Sequence, residues 1–133
     1  MQSIDTNVLV RLLVKDDLEQ GERAEKVFRQ AAEYGGVWLD RTVLVETVWV
    51  LRAAYRFERT AIVEILRRLL ETSGVSVEAE GVVRSALSLY ETGPADFADS
   101  VILESARQAG ALPLWTFDGR LVRSEGAMGV PEL

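Results

Sequence analysis

Acidic side chains are the groups in this sequence most suited to catalysis or metal binding. Histidine and cysteine are both absent, which excludes imidazole bases, thiolate nucleophiles, disulfides and the zinc sites built from these residues. Any catalysis would have to use carboxylates, hydroxyls, Lys or Arg as functional groups, together with a bound metal ion. Five acids stand out by their positions, and they are Asp5, Glu46, Asp96, Asp99 and Asp118.

Two of these acids come at the ends of predicted strands. Asp5 ends the first strand, and Asp118 follows the last one, in Thr116-Phe117-Asp118. In a parallel sheet, ligands bind outside the carboxyl ends of the strands, so both acids are expected at the edge where a site forms. Each also has a purely structural interpretation, as a helix N-cap for Asp5 and as an Asp-Gly turn for Asp118.

Glu46 is unusual because it interrupts the apolar run Val43–Leu51. The segment 42–54 is predicted to be a helix that is apolar nearly all round and therefore buried on most sides. No basic residue lies three or four positions from Glu46, so no helix neighbour can pair with it. A buried carboxylate must find a distant Arg, be protonated or bind a metal ion. The alternative is a narrow strip of the helix that faces solvent.

Asp96 and Asp99 stand three residues apart at a predicted helix start. As an N-cap and a first-turn acid they would suit the helix dipole without any further role. If Asp5, Asp99 and Asp118 gather, however, each like-charged pair costs on the order of 1–4 kcal/mol. Divalent cations would relieve that repulsion. Ligands that are all oxygen select hard ions such as Mg²⁺ or Mn²⁺, which suit phosphoryl chemistry.

Hydrophobic periodicity predicts alternating strands and helices. The predicted strands are 2–5, 37–39, 75–77 and 112–117, separated by helical stretches, with a short helix near 121–122 and a Gly- and Pro-bearing tail. This alternation favours an α/β fold with a mostly parallel sheet and helices on both faces. A chain of 133 residues without a linker-like segment is expected to form a single domain, 1–133.

Composition narrows the functional classes. The chain is 48% hydrophobic and 27% charged, which excludes a disordered or low-complexity protein. Its net charge of −6 does not favour nucleic-acid binding through the overall field, so such binding would need local arginines or bound cations. No basic N-terminal region suggests a secretory signal, and no apolar run is long enough to span a membrane. A cytoplasmic location without membrane association is expected.

Four motifs together resemble the PIN domain, and in particular the VapC-type ribonuclease toxins of prokaryotic toxin–antitoxin pairs. They are Ile4-Asp5-Thr6-Asn7-Val8-Leu9, Glu46, Asp96-Phe97-Ala98-Asp99-Ser100-Val101-Ile102 and Leu114-Trp115-Thr116-Phe117-Asp118. The resemblance implies a three-layer α/β/α domain with a short, mostly parallel central sheet. It also implies hydrolysis of RNA phosphodiesters with one or two Mg²⁺ or Mn²⁺ ions.

Carried over by position, the resemblance assigns a role to each acid. Asp5, Glu46, Asp99 and Asp118 would form the catalytic and metal-binding quartet. Asp96 would either contact metal or only cap its helix. Thr6 and Thr116 would donate hydrogen bonds that hold the carboxylate rotamers.

The resemblance further implies three partners: RNA, a second copy of the chain and an antitoxin that covers the site. The apolar faces near Val8–Leu13 and Ile62–Leu70 could receive the antitoxin, although such stripes are more often core. RNA would need basic side chains, and the candidates are Arg11, Arg41, Arg52, Arg56, Arg59, Arg120 and Arg123.

Two other classes of function stay open from the residues alone. A non-catalytic module could use the acidic pocket for structure or for a basic peptide. A phosphoryl-transfer domain that uses an Asp is disfavoured, because the first strand ends in Asp5-Thr6-Asn7 and not in an Asp-x-Asp motif, and because Lys15 and Lys26 are the only lysines.

Overall fold

A computed structural model describes all residues, 1–133, and divides into two compact units, 1–78 and 79–133. The first unit contains three strands and four helices. In chain order they are β1 (Gln2–Ser3), α1 (Thr6–Leu13), α2 (Leu18–Glu33), β2 (Val37–Leu39), α3 (Arg41–Ala53), α4 (Arg59–Leu70) and β3 (Val75–Val77).

A three-stranded parallel sheet in the order β1-β2-β3 organises the first unit. Val37 of β2 pairs with Gln2 of β1 on one side and with Val75 of β3 on the other. Val37 and Leu39 are buried, as expected for a central strand of a parallel sheet. The predicted first strand, 2–5, is shorter in the structure, and β1 ends at Ser3, two residues before Asp5.

The second unit contains two helices, two strands and a short 3₁₀ helix. They are α5 (Glu80–Thr92), α6 (Phe97–Gln108), β4 (Leu114–Thr116), the 3₁₀ helix (Leu121–Arg123) and β5 (Ala127–Gly129). Strands β4 and β5 pair in parallel, with Trp115 opposite Met128. Leu114 and Ala127 pack against a buried cluster of Ala95, Leu103 and Leu121.

The predicted α/β class and the parallel strand pairing are confirmed. The predicted last strand, 112–117, is shorter in the structure, at Leu114–Thr116. The segment 127–129, predicted to lie in an irregular tail, forms β5. The sequence contained little indication of this strand, because the tripeptide Ala127-Met128-Gly129 has a low intrinsic strand propensity. None of the helices is both long and apolar enough to cross a membrane.

The prediction that the helix at 42–54 is buried on most sides is wrong. Only Leu44, Thr47, Val48 and Leu51 of α3 are buried, which is one face of the helix. Thr42, Glu46 and Trp49 lie on an exposed face, and Trp49 is 69% exposed. Glu46 is therefore not a buried charge, and the alternative of a solvent-facing strip is the correct one.

Candidate active site

In the first unit, α1 and α3 bring together the hydroxyl of Thr6 and the carboxylate of Glu46. Thr6 Oγ1 donates to Glu46 Oε1 over 3.2 Å. The two residues are 40 positions apart, so packing of α1 against α3 makes this contact. A hydrogen bond of this kind fixes the rotamer of an exposed carboxylate that would otherwise sample several positions.

Asp5 caps α1, because its Oδ1 accepts a hydrogen bond of 3.2 Å from the backbone N–H of Val8. The helix N-cap, which was the purely structural interpretation of Asp5, is therefore present. It occupies one carboxylate oxygen of an exposed side chain. A monodentate cap leaves the second oxygen available to a ligand, so capping and metal binding are compatible roles for this residue.

In the second unit, Asp96 caps α6 by accepting a hydrogen bond of 2.8 Å from the backbone N–H of Asp99. Asp118 forms the predicted turn, and its Oδ1 accepts from Arg120 N at 2.7 Å and from Leu121 N at 3.0 Å. Both acids are thus held by local backbone contacts. Each contact uses a single oxygen, as at Asp5.

Asp99 and Asp118 have opposite electrostatic environments. The pKa of Asp99 is raised by partial burial first, and then by the charges of Asp96 and Asp118. The pKa of Asp118 is lowered by the backbone hydrogen bonds from Leu121 and Arg120, and also by the Arg120 charge. The charge of Arg120 acts on both carboxylates. A nearby cation would therefore stabilise the ionised form of Asp99.

The donor set suits a divalent ion that keeps part of its water shell. Neither unit contains three or more acids grouped closely enough to hold a metal ion by themselves. Mg²⁺ is usually bound by one or two carboxylates, with waters and substrate phosphates as the remaining ligands. The exposed carboxylate oxygens of Asp5 and Glu46 and the carboxylate of Asp99, whose pKa is raised, fit that mode of binding. The chain has no imidazole or thiolate to offer instead.

The PIN domain family model matches residues 3–126 of the chain and so runs through both units. This protein belongs to the PIN-domain family. A VapC ribonuclease from Aquifex aeolicus (strain VF5) is 27% identical over 121 residues, which cover 90% of this chain and 89% of that relative. The crystal structure of VapC20 from Mycobacterium tuberculosis, a toxin that cleaves the sarcin–ricin loop, has 21% identity and a TM-score of 0.44, with 95% of this chain and 96% of VapC20 covered. The family predicted from the acidic motifs is confirmed.

Thr116 supports the second-unit acids of this PIN domain differently from the expectation. Its Oγ1 accepts a hydrogen bond of 2.9 Å from the backbone N–H of Asp118. The predicted contact was donation to a carboxylate. Thr116 therefore acts on Asp118 through the backbone of the turn.

The two apolar stripes predicted as docking faces are largely core. Leu9 and Val10 of α1 are buried, as are Ile62, Leu66 and Leu69 of α4. At these buried positions the stripes form hydrophobic core, and the prediction that they are core is the correct one. A cavity of about 250 Å³ does open between α1 and α2, lined by Asn7, Val8, Arg11, Gln20, Arg23, Ala24 and Val27.

Arg11, one of the predicted RNA contacts, is engaged inside the first unit. Its Nε donates to Gln20 Oε1 at 2.6 Å, and its Nη1 donates to Asp16 Oδ1 at 3.0 Å and to the Tyr55 hydroxyl at 3.1 Å. The Tyr55 hydroxyl donates in turn to Asp16 Oδ2 at 2.9 Å. This Arg11 network joins the end of α1 to the residues that follow α3. It fixes the same helix pair that carries Thr6 and Glu46.

We expect Tyr55→Phe to lower the free energy of unfolding by about 1 kcal/mol, because the hydroxyl makes two hydrogen bonds in the Arg11 network. The ring and its contact with Phe57, at a centroid distance of 6.1 Å, are retained. Urea unfolding followed by circular dichroism measures the change. Tyr34→Phe is the matched control, since Tyr34 is 61% exposed. Equal losses in the two variants would contradict a specific role for the network.

Proposed function

We propose that this PIN-domain protein is the toxin of a VapC-type toxin–antitoxin pair, an endoribonuclease that hydrolyses RNA phosphodiesters with Mg²⁺ or Mn²⁺. The metal-binding acids are Asp5 and Glu46 in the first unit and Asp99 and Asp118 in the second, with one or two ions. Asp96 is assigned first to its helix cap. The similarity to a VapC ribonuclease across nine-tenths of the chain supports the reaction class.

One observation in the structure carries the metal requirement. Asp99 is partly buried, and the neighbouring charges of Asp96 and Asp118 raise its pKa further. Like charges that raise the pKa of a neighbouring carboxyl group destabilise the fold, and a bound cation would neutralise them. A binding module for basic peptides would offer the same charge, but it would not require the fixed rotamer that Thr6 gives to Glu46.

The chain's own residues perform three tasks in this proposal. Thr6 holds the Glu46 carboxylate, and the turn at 118–121 holds the Asp118 carboxylate, so both are oriented before substrate arrives. Arg120 supplies a positive charge beside Asp99 and Asp118, where a phosphate group would approach. When bound, the metal ion supplies charge neutralisation and water activation for phosphodiester hydrolysis.

The partners and location of the protein follow from the same proposal. The substrate is RNA, and a cognate antitoxin neutralises the activity in the cell. The protein acts as a homodimer in the cytoplasm. The divalent ion is the proposed cofactor, and no membrane partner is proposed.

Cleavage by the wild-type protein is the first experiment. Purified protein is treated with EDTA, mixed with a pool of structured RNA, and supplied with Mg²⁺ or Mn²⁺. We expect cleavage only after metal is added. Glu46→Gln should lower the rate by about 100-fold, because it removes a charge that binds the ion while keeping the size and the Thr6 contact.

Glu64→Gln is the matched control for this experiment. Glu64 is a glutamate on an exposed helix surface, like Glu46, but it pairs with Arg68 at 2.8 Å. We expect wild-type activity from it. Full cleavage in EDTA would refute the metal requirement. Divalent-ion binding in titration calorimetry, without cleavage by well-folded protein, would favour the non-catalytic module.

A further inference from the structure

Two hydrogen bonds join α1 to α3 and its C-terminal extension, one near each end of α1. Thr6, the first residue of α1, donates from Oγ1 to Glu46 Oε1 over 3.2 Å. Arg11, in the last turn of α1, donates from Nη1 to the Tyr55 hydroxyl at 3.1 Å. The helical rise separates Thr6 from Arg11 by about 7.5 Å along the axis. The two contacts therefore hold α1 at two distinct points.

Tyr55 is attached firmly to α3, although it lies just beyond the end of that helix at Ala53. The backbone N–H of Tyr55 donates to Val50 O at 3.3 Å, and the backbone N–H of Phe57 donates to Leu51 O at 2.9 Å. Both acceptors belong to the last turn of α3. These bonds fold the chain back onto the helix end. A contact with the Tyr55 hydroxyl is therefore, in effect, a contact with α3.

Arg11, Asp16 and Tyr55 form a closed ring of contacts within the Arg11 network. Besides its bond to Tyr55, Arg11 Nη1 donates to Asp16 Oδ1 at 3.0 Å, and the Tyr55 hydroxyl donates to Asp16 Oδ2 at 2.9 Å. Arg11 Nε donates separately to Gln20 Oε1 of α2 at 2.6 Å. An isolated surface ion pair contributes little. Here each member of the ring has two partners in it, which restricts the rotamers of all three side chains.

The orientation of α1 on α3 decides where Asp5 lies relative to Glu46. Asp5 is bound to α1 by its N-cap hydrogen bond, whereas Glu46 belongs to α3. The bond from Thr6 to Glu46 is a single contact, about which α1 can pivot. The second contact, from Arg11 to Tyr55, removes that freedom. Such restraint matters, because a displacement of about 1 Å caused by a distant substitution can lower an enzyme's rate about 100-fold.

We propose that Arg11 and Tyr55 are positioning residues of the metal site. Their hydrogen bond fixes the separation between Asp5 and Glu46. This inference rests on the proposed ribonuclease function and adds two residues that bind neither the ion nor RNA. Without the contact, α1 adopts further orientations, and only a fraction of the molecules presents both acids to the ion. The apparent dissociation constant of the ion then rises by the inverse of that fraction, and saturating metal restores the arrangement.

A direct RNA contact, which the sequence suggested for Arg11, predicts a different result. Losing a phosphate contact would raise the RNA concentration needed for cleavage and would leave the metal requirement unchanged. Loss of positioning does the reverse. Arg11→Lys distinguishes the two roles, because it keeps the positive charge. A single ammonium nitrogen cannot replace the two guanidinium nitrogens that make the network.

Binding of Mn²⁺ to the metal-free full chain tests the proposal without RNA. Titration calorimetry compares the wild type with Arg11→Lys and with Tyr55→Phe, which removes the hydroxyl and keeps the ring. We expect the apparent dissociation constant to rise about tenfold in both variants. In single-turnover cleavage, the Mn²⁺ concentration for the half-maximal rate should rise by the same factor. The rate at saturating Mn²⁺ and the RNA concentration for the half-maximal rate should stay within about twofold of the wild type.

Ile62→Val is the control for lost stability. Ile62 is fully buried in α4, and the loss of one methyl group destabilises the core while leaving the Arg11 network in place. All variants are compared at a temperature at which circular dichroism shows them folded. Ile62→Val should bind Mn²⁺ like the wild type. Equal losses of affinity in Ile62→Val and Tyr55→Phe would show that Tyr55 acts through stability alone, and would overturn the proposal.

Three other results also overturn it. An unchanged Mn²⁺ affinity of Tyr55→Phe, in a protein whose wild type needs the ion, refutes the positioning role and leaves the ribonuclease function intact. A rise in the RNA requirement alone assigns Arg11 to RNA binding. Wild-type protein that neither binds Mn²⁺ nor cleaves RNA refutes the proposed function, and the positioning role with it.

Discussion

Replacing Asp99 with asparagine is expected to lower metal-dependent RNA cleavage by at least about 100-fold and, at neutral pH, to raise the stability of the metal-free protein. The amide retains the size of the side chain but carries no charge to bind a cation. The ionised carboxylate of Asp99 is disfavoured in the fold by partial burial and by the charges of Asp96 and Asp118. Removing that charge therefore helps folding while it harms activity.

The stability difference has a defined pH dependence. Because the folded-state pKa of Asp99 is raised, protonation of this group favours the folded state. Its contribution to the free energy of unfolding is fully present below the unfolded-state pKa and is lost as the pH rises through the folded-state pKa. Wild type and Asp99→Asn should therefore agree at acidic pH and diverge towards neutral pH. The difference should stay below about 1 kcal/mol, because solvent screens a partly exposed group.

Thermal unfolding across this pH range, with and without Mn²⁺, measures the effect beside single-turnover cleavage. Added Mn²⁺ should stabilise the wild type more than the variant. Asp17→Asn is the control, because Asp17 caps α2 through the N–H of Gln20, and asparagine caps helices equally well. Wild-type cleavage by Asp99→Asn would remove this residue from the proposed metal-binding set.

The second large effect is expected at Gly36, where an alanine should lower the free energy of unfolding by about 3 kcal/mol or more. Gly36 has a φ of +104°, and a Cβ atom there would lie 2.4 Å from the carbonyl oxygen of Gly74. That carbonyl accepts a hydrogen bond of 2.7 Å from Val37 N, so it cannot move without loosening the start of β2. The Gly36 carbonyl also accepts from Gln2 N in β1.

Gly74→Ala separates the two causes of this loss. Gly74 also has a positive φ, of +84°, but a Cβ atom there would meet nothing within 4 Å. It should cost only the conformational strain, about 1–2 kcal/mol. Urea unfolding followed by circular dichroism gives both values. Equal losses would show that the close approach to the Gly74 carbonyl contributes nothing.

Local contacts were determined by the sequence itself. The caps at Asp5, Asp17 and Asp96 each join a side chain to a backbone N–H three residues later, so the fold of the rest of the chain hardly affects them. The absence of His and Cys likewise restricts the chemistry to carboxylates whatever the fold. The same short motifs were sufficient to predict the family. Their order along the chain also allowed specific residues to be predicted as metal-binding acids.

Contacts between distant residues were decided only by the tertiary structure. The Thr6–Glu46 and Arg11–Tyr55 hydrogen bonds span 40 and 44 positions, and no periodicity in either segment encodes them. The apolar run around Glu46 suggested burial, but packing covers a single face of α3 and leaves Glu46 exposed. Strand β5 exists because it pairs with β4, and that pairing also leaves Trp115 and Met128 in solvent. Burial and strand pairing depend on which surfaces meet in three dimensions, and a single sequence specifies this only through the complete fold.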